Sequence, residues 1–431
     1  MVNLWQQKMF RLHKNKKAAL TSAQKLLGIE NLSLLERLVL FFCSLIFVGF
    51  VSSRVLISVG VVGLLLSGIY SRLASKDTNW HWILLTPILF FAILLLSWFN
   101  SDNKYMWAMW LTLKLPFLIL PLAFILMEDF SSSFIRQVLK IFVWVMMGSM
   151  IIVFIRYALH YEQINVSLSA GGRMPVPYSH IRYSLLLTVA CFVSVWFYWT
   201  GKHKFYLFST LFFFGSLHLI SVRSGLLALY AGLSFVLVYF VVVQKQWKVG
   251  LVGIVAAVLI SFAAYKTIPS LQNRIAFMRY DFGQWKEGNI DGNSDAMRLA
   301  SIVTGYHLWQ KNVWLGVGSG DILNESKQLE QSLFPNIHEE TSLKMPHNEI
   351  LWTACVLGVL GVALFFVAWL FPLFVFAHQL HWLYVAIQLV FFVSFMVEYT
   401  IEEQIGGTFF VLFQLLFYKW FSLEKWNPSR L

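Results

Sequence analysis

Twelve apolar runs divide this chain, and they constrain its fold more than any other feature. They cover roughly 35–52, 54–71, 80–99, 107–127, 134–159, 179–200, 204–220, 224–243, 248–268, 347–370, 380–398 and 404–420. A helix of about 20 apolar residues crosses a hydrocarbon core. In lipid such a segment must also satisfy its own backbone polar groups, which a helix does. The chain therefore reads as an all-α polytopic membrane protein with about twelve transmembrane helices. The first two runs are short and separated only by Ser52-Ser53-Arg54; read as one bent hairpin, they bring the count to eleven. Charged residues make up 13% of the chain, against about 25% in ordinary soluble domains, which excludes a soluble enzyme. Cys43, Cys191 and Cys355 all fall inside apolar runs, where cysteine packs as a small hydrophobe rather than pairing or binding metal.

The net charge of +12 does not point to nucleic acid, because the basic residues sit in short connectors between apolar runs. That is the pattern of topology signals and of contact with anionic lipid. Arg72 and Lys76, Arg136 and Lys140, Lys202 and Lys204, and Lys245 and Lys248 fall in every second connector. Together with the tail at 1–33 (Lys8, Arg11, Lys14, Lys16, Lys17, Lys25) and the end at 421–431 (Lys425, Arg430), they mark the cytoplasmic side. The tail suits either an anionic membrane surface or plain disorder. The remaining connectors face outward: 100–105, 161–178, 221–224 and a long polar stretch at 269–346. This divides the chain into a basic tail, nine spans over 34–268, an outer loop over 269–346, three spans over 347–420 and a cytoplasmic end. No cleavable signal is expected, since the first apolar run follows a long basic tail with no small-residue cleavage site. No internal repeat and no helix broken at membrane depth is evident, and these are features expected of many transporters.

Within the outer loop, 296–310 carries Met297, Ala300, Ile302, Val303, Tyr306 and Trp309 at an approximately helical spacing. Gly316-Val317-Gly318-Ser319-Gly320-Asp321 follows. It reads as a tight turn and not as a dinucleotide fingerprint, because no βαβ unit surrounds it. The stretch 272–295 is polar and glycine-bearing and is expected to be mobile.

Chemistry concentrates at the outer ends of the later runs. Met345-Pro346-His347-Asn348-Glu349-Ile350-Leu351 opens a span after the polar loop. It places a titratable imidazole where helix meets water, behind a proline suited to starting a helix. Ionisable groups at membrane depth are costly and so point to function. Arg182, Arg223 and Arg298 recur at three other outer mouths or loops. One base and several fixed cations suit an anionic, lipid-linked substrate. Arginine binds phosphate groups through a planar, permanently charged fork. A sugar hydroxyl gains from a base with pKa near the working pH, which favours histidine. Metal-assisted chemistry would call for clustered carboxylates near the first outer connectors, but these offer only Asp102. No metal and no cofactor is expected. Each residue also has a structural alternative: a helix cap for His347, a snorkelling anchor for Arg223, a solvated face for Arg298, and a pair with Glu162 for Arg182. His180 and His307 read as structural. Glu398, Glu402 and Glu403 form an acidic cluster in the last outer connector, read either as balance for the arginines, as an acceptor contact or as a solvated loop.

The order of these motifs resembles that of a known family. Ser179-His180-Ile181-Arg182-Tyr183 comes first, then Ser221-Val222-Arg223-Ser224-Gly225-Leu226-Leu227 and Met297-Arg298-Leu299. Leu315-Gly316-Val317-Gly318-Ser319-Gly320, Pro346-His347-Asn348-Glu349-Ile350-Leu351 and Leu357-Gly358-Val359-Leu360-Gly361 follow. Over roughly 179–370 this is similar to the O-antigen ligase and polymerase superfamily, bacterial membrane glycosyltransferases of the GT-C type. The first five spans are similar only in hydropathy and topology. The resemblance implies an inner-membrane protein with a periplasmic active site, moving a glycan from undecaprenyl diphosphate to an acceptor hydroxyl without a metal. For a ligase that acceptor is the lipid A core, for a polymerase the next repeat unit. It further implies His347 as the catalytic histidine, and Arg223, Arg298 and Arg182 as diphosphate contacts. Asn348 and His180 are auxiliary candidates, although His180 beside Arg182 departs from the family pattern. A transporter of lipid-linked glycans remains a further alternative.

Overall fold

The computed structural model describes residues 32–74, 82–169, 172–338, 340–343, 345–377 and 380–423. The basic residues of the expected tail, Lys76, and Lys425 and Arg430 of the cytoplasmic end lie outside the described residues. Among those residues all regular structure is helical.

Every apolar run forms a helix. Helices α1 (Leu34–Ser52) and α2 (Arg54–Ala74) are separate, parted at Ser53, whose extended backbone ends the first. Ser33 and Glu36 form a capping box that starts α1, and Glu36 also accepts from the Ser131 backbone (2.8 Å) and hydroxyl (2.6 Å). One carboxylate thus ties down the starts of two helices, which satisfies donors that a helix N-terminus leaves open. Next come α3 (Thr86–Leu96), flanked by 3-10 turns Trp82–Leu85 and Ser97–Asn100, then α4 (Lys104–Leu113) and α5 (Pro116–Leu126). The chain continues through α6 (Ser132–Leu159), α7 (Tyr161–Ser169), α8 (His180–Gly201), α9 (Lys204–Ile220), α10 (Arg223–Val242) and α11 (Trp247–Thr267).

By length and composition, nine helices of the described residues can cross a membrane. The expected twelve is not reached on length and composition alone, since three of the apolar helices are short or carry polar residues. Helix α9 has 17 residues, and the last but one, α16 (Trp382–Val397), has 16, both short of the roughly 20 a crossing takes. The last, α17 (Gln404–Leu423), carries Gln404, Gln414 and Lys419 within its run. It is also the innermost: Phe409, Phe410, Phe413, Gln414 and Lys419 are all buried. Phe410 meets Phe391 and Phe395 nearly edge-on, with ring centroids 5.1 and 5.4 Å apart, a favoured aromatic geometry. Helix α11 is the converse. It exposes Leu251, Val252, Val258, Leu259 and Phe262, an apolar face whose natural solvent is lipid.

The polar stretch between α11 and the later spans is more ordered than its composition suggests. Over most of 272–295 the chain forms α12 (Pro269–Glu287), ended by Gly288 at φ 80°. Helix α13 (Ser294–Lys311) covers the expected 296–310 pattern, and α14 (Ile322–Leu333) follows.

Two spans are broken inside the bundle, which corrects the expectation of unbroken helices. The run Lys104–Leu126 breaks at Lys114–Leu115, just before Pro116. Helix α15 (Glu349–Val375) is kinked at Gly358, where φ is +63°. The kink explains the two glycine motifs together. It turns carbonyls of the first half of α15 away from their helical partners. Those of Cys355 and Val356 instead accept from the Val317 and Gly318 backbones at 2.8 and 3.0 Å, and Val359 donates to the Val313 carbonyl at 2.9 Å. Gly316, at φ +70°, lies against Val356 and Leu357, and Gly358 lies against Trp314 and Leu315, so a Cβ at either would strike backbone. The 316–321 turn is therefore a clamp on the kink.

Candidate functional site

The centre of the site is the strap between α16 and α17. Its residues Glu398, Tyr399 and Glu403 face three of the sequence candidates. His347 lies 3.9 Å (Nε2) from Glu398 Oε2 and meets the Tyr399 ring edge-on at 5.0 Å. Arg298 Nη2 lies 2.7 Å from Glu398 Oε1. Arg182 donates to the Tyr399 carbonyl at 2.9 Å, sits over the Tyr399 ring and pairs with Glu403 at 3.3 Å. Arg182 thus takes Glu403 and not Glu162. Arg223 stands apart from the strap and is ion-paired with Asp295 at the start of α13.

Local structure explains these placements. Arg182 lies in the first turn of α8 and Arg223 begins α10. Arg298 lies one turn into α13, whose Ala296, Met297 and Ala300 are buried, and this turns the arginine toward the strap. His347 precedes α15, which Asn348 caps by accepting from the Leu351 backbone at 2.8 Å. The other end of the Asn348 amide donates to the Met396 carbonyl at 3.1 Å. Asn348 therefore joins α15 to α16, and the ring of His347 is oriented by Ser301, Glu398 and Tyr399. Ser301 lies 3.5 Å from Nδ1 and accepts from the His347 backbone at 3.3 Å. His180 donates from Nε2 to the Met174 carbonyl at 2.9 Å.

Behind the strap a second cluster fixes its shape. Lys114, at the break between α4 and α5, is 0% exposed and forms an ion pair with Glu402. It also donates to the Ile401 carbonyl at 2.7 Å. Glu349 accepts from the Ile401 backbone N–H at 2.8 Å. Both backbone groups of Ile401 are thus held by the buried side chains of Lys114 and Glu349. The rings of Phe90, Phe117 and Trp352 surround the ammonium at 5.5–5.6 Å.

Two cavities flank the arginines. One is lined by Arg173, His180, Ile181, Ile220, Ser221, Val222, Arg223, Ser224 and Arg298. The second, of about 340 Å³, shares Arg223 and Arg298, adds Asp281 and Asp295, and continues along Leu227, Met278, Phe282, Trp285, Leu299 and Val397. One wall is charged and the other apolar. His347 lines neither cavity and is 7% exposed. Its ring packs on Tyr399, where the sequence suggested an open mouth; it reaches the cavities through Glu398 and Arg298.

Burial, followed by the like charges of Arg298 and Arg182, lowers the His347 pKa to about 4, against the pull of the Met345 carbonyl. The imidazole is therefore neutral near pH 7 and can accept a proton. Burial raises the Glu398 carboxyl above its ordinary value, although Arg298, Arg182 and Arg173 oppose this. Among the described residues no three His, Cys, Asp or Glu side chains gather into a metal-holding group.

The site thus brings His347, Arg298 and Arg182 onto one strap, and Arg223 and Arg298 onto common cavities. Tyr399, Ser301 and Arg173 were not singled out by the sequence reading. Glu398 had a usable signal, a carboxylate closing an apolar run, but nothing showed which cation it would meet.

Residues 208–366 match the family model described as O-Antigen ligase. The match contains Arg223, Arg298 and His347 and supports the O-antigen ligase and polymerase superfamily, and with it a glycosyltransferase-like membrane enzyme. Arg173, Arg182 and the strap at 398–403 fall outside the matched segment. No curated protein matches the chain.

Proposed function

Taking the O-antigen ligase and polymerase superfamily as the family of residues 208–366, we propose that the protein transfers a glycan from undecaprenyl diphosphate to an acceptor hydroxyl. The reaction takes place on the periplasmic face of the inner membrane, and the acceptor is the lipid A core. The observation that carries this reading is the two-sided cavity: Arg223 and Arg298 at one wall, Leu227, Met278, Phe282 and Leu299 along the other. A polyprenyl diphosphate has the same two-part chemistry.

In this reading the neutral imidazole of His347 takes the proton of the acceptor hydroxyl. The oxygen attacks the anomeric carbon, the bond to the diphosphate breaks, and the diphosphate leaves with the electron pair. Arg223 and Arg298 neutralise the charge that develops on it, with Arg182 steadying the strap through Tyr399 and Glu403. Attack from the face opposite the leaving group inverts the anomeric centre. Arginine neutralisation and a histidine base together supply the chemistry from side chains alone.

Repeat-unit polymerisation uses the same donor and differs in acceptor. A transporter also accommodates broken helices such as those at Lys114 and Gly358. A neutral buried histidine wired to an arginine through Glu398 suits catalysis better. The test is a transfer assay with purified protein, a polyprenyl-diphosphate glycan and lipid A core, in excess EDTA. Glycosylated core with undiminished yield is expected. Lengthened lipid-linked glycan without core product would favour the polymerase, and loss of activity restored by magnesium would overturn the arginine-based mechanism.

A further inference from the structure

Arg173, Arg223 and Arg298 line the cavities and Arg182 lies against the neighbouring strap; three of the four are already matched by a carboxylate. Arg182 is paired with Glu403, Arg223 with Asp295, and Arg298 with Glu398. Arg173 borders the same cavity as Arg223 and Arg298, yet among the described residues it has no ion-pair or hydrogen-bond partner. Its charge is coupled to Arg298 and Arg223, and more weakly to Glu398, so it faces the same space as the residues assigned above.

Its backbone is nevertheless held. The next residue, Met174, is 1% exposed, and its carbonyl is bonded to His180 at 2.9 Å. Pro175 and Pro177 follow, each fixing its own φ. An exposed side chain thus extends from an anchored loop. This is the arrangement of a binding group kept free, since a structural arginine would have taken a partner. A guanidinium offers five N–H donors, and on Arg173 none must leave a carboxylate before meeting an anion. Arg223 and Arg298 must share theirs with Asp295 and Glu398.

We propose that Arg173 is a diphosphate-binding residue, the uncommitted cation that first engages the donor's phosphates and delivers them to Arg223 and Arg298. The inference rests on the diphosphate-donor reading above and extends it to a residue outside the matched family segment. It also gives the two paired arginines of the cavity, Arg223 and Arg298, a different part: with Asp295 and Glu398 they contribute little net charge until the anion arrives, so that Arg173 sets the affinity for an anionic donor.

The test titrates the purified full chain with inorganic pyrophosphate and, separately, with polyprenyl diphosphate, and follows thermal unfolding in parallel. Arg173→Ala is expected to bind both about tenfold or more weakly, the scale of one lost charge-assisted hydrogen bond. Its unfolding temperature should be unchanged, because no partner is orphaned. Arg173→Lys should recover part of the affinity, a point charge replacing a fork. Wild-type affinity in Arg173→Ala overturns the inference alone. So does a large drop in unfolding temperature, which would make the residue structural. A wild-type protein that binds neither probe overturns the donor reading and the inference with it.

Discussion

Lys114 lies behind the strap and the arginines Arg223 and Arg298 line the cavities, and the protein uses these cations in opposite ways. Lys114 is fully buried, ringed by three aromatics and committed to Glu402 and the Ile401 carbonyl. Arg223 and Arg298 are partly exposed, each held by a single carboxylate beside open space. A buried charge must have all its partners at once, because nothing else can solvate it. A charge at a cavity edge can exchange a carboxylate for a ligand. The difference separates the cluster that shapes the strap from the cluster that faces the cavities.

The comparison breaks most sharply at Lys114. Lys114→Met leaves the buried Glu402 and the Ile401 carbonyl without their partner. Breaking a buried pair costs about 3–5 kcal/mol, so the variant should show a large drop in unfolding temperature in detergent. Arg223→Lys, at the open cluster, should unfold like wild type and lose most transfer, since an ammonium cannot replace a bidentate fork. Near-normal transfer by Arg223→Lys, or an unperturbed Lys114→Met, would erase the distinction.

A smaller effect sharpens it. A free histidine is half protonated near pH 6.5, but His347 is held at about 4. Transfer should therefore stay level from about pH 8 to about pH 5 and fall only as pH nears 4. The stability sign agrees: between the two values the unfolded chain binds the proton first, so this contribution is full above 6.5 and lost as pH falls toward 4. An acid limb centred near 6.5 would show that the imidazole is open to water.

Much of this was legible in the sequence. The apolar runs gave every helix of the bundle, because hydrophobic length is a strong local signal. Arg182, Arg223, Arg298 and His347 stood out because charge at membrane depth is costly. What escaped notice depends on long-range pairing. Lys114, with Pro116 beside it, marked a break inside an apolar run, but its partner Glu402 lies far along the chain. Gly316 and Gly358 were visible as separate motifs, and only the folded chain shows each fitting against the other's backbone. Arg173 had no distinguishing neighbour in sequence, since its importance lies in the partner it lacks. The count of crossings is where hydrophobic length says least: α9 and α16 are short and α17 carries polar residues, so nine helices meet the length and composition of a span among the described residues.

The central claim is that His347, neutral and seated against Tyr399 and Glu398, is the base for glycan transfer. The most direct measurement is the transfer rate of purified His347→Ala with a polyprenyl-diphosphate glycan, alongside its pyrophosphate affinity. Removing a general base typically slows a reaction about 10²–10⁴-fold, so transfer should nearly vanish while affinity and folding remain those of the wild type. A correctly folded His347→Ala protein that transfers glycan at the wild-type rate would contradict the account and leave the arginines as a binding site without their proposed base.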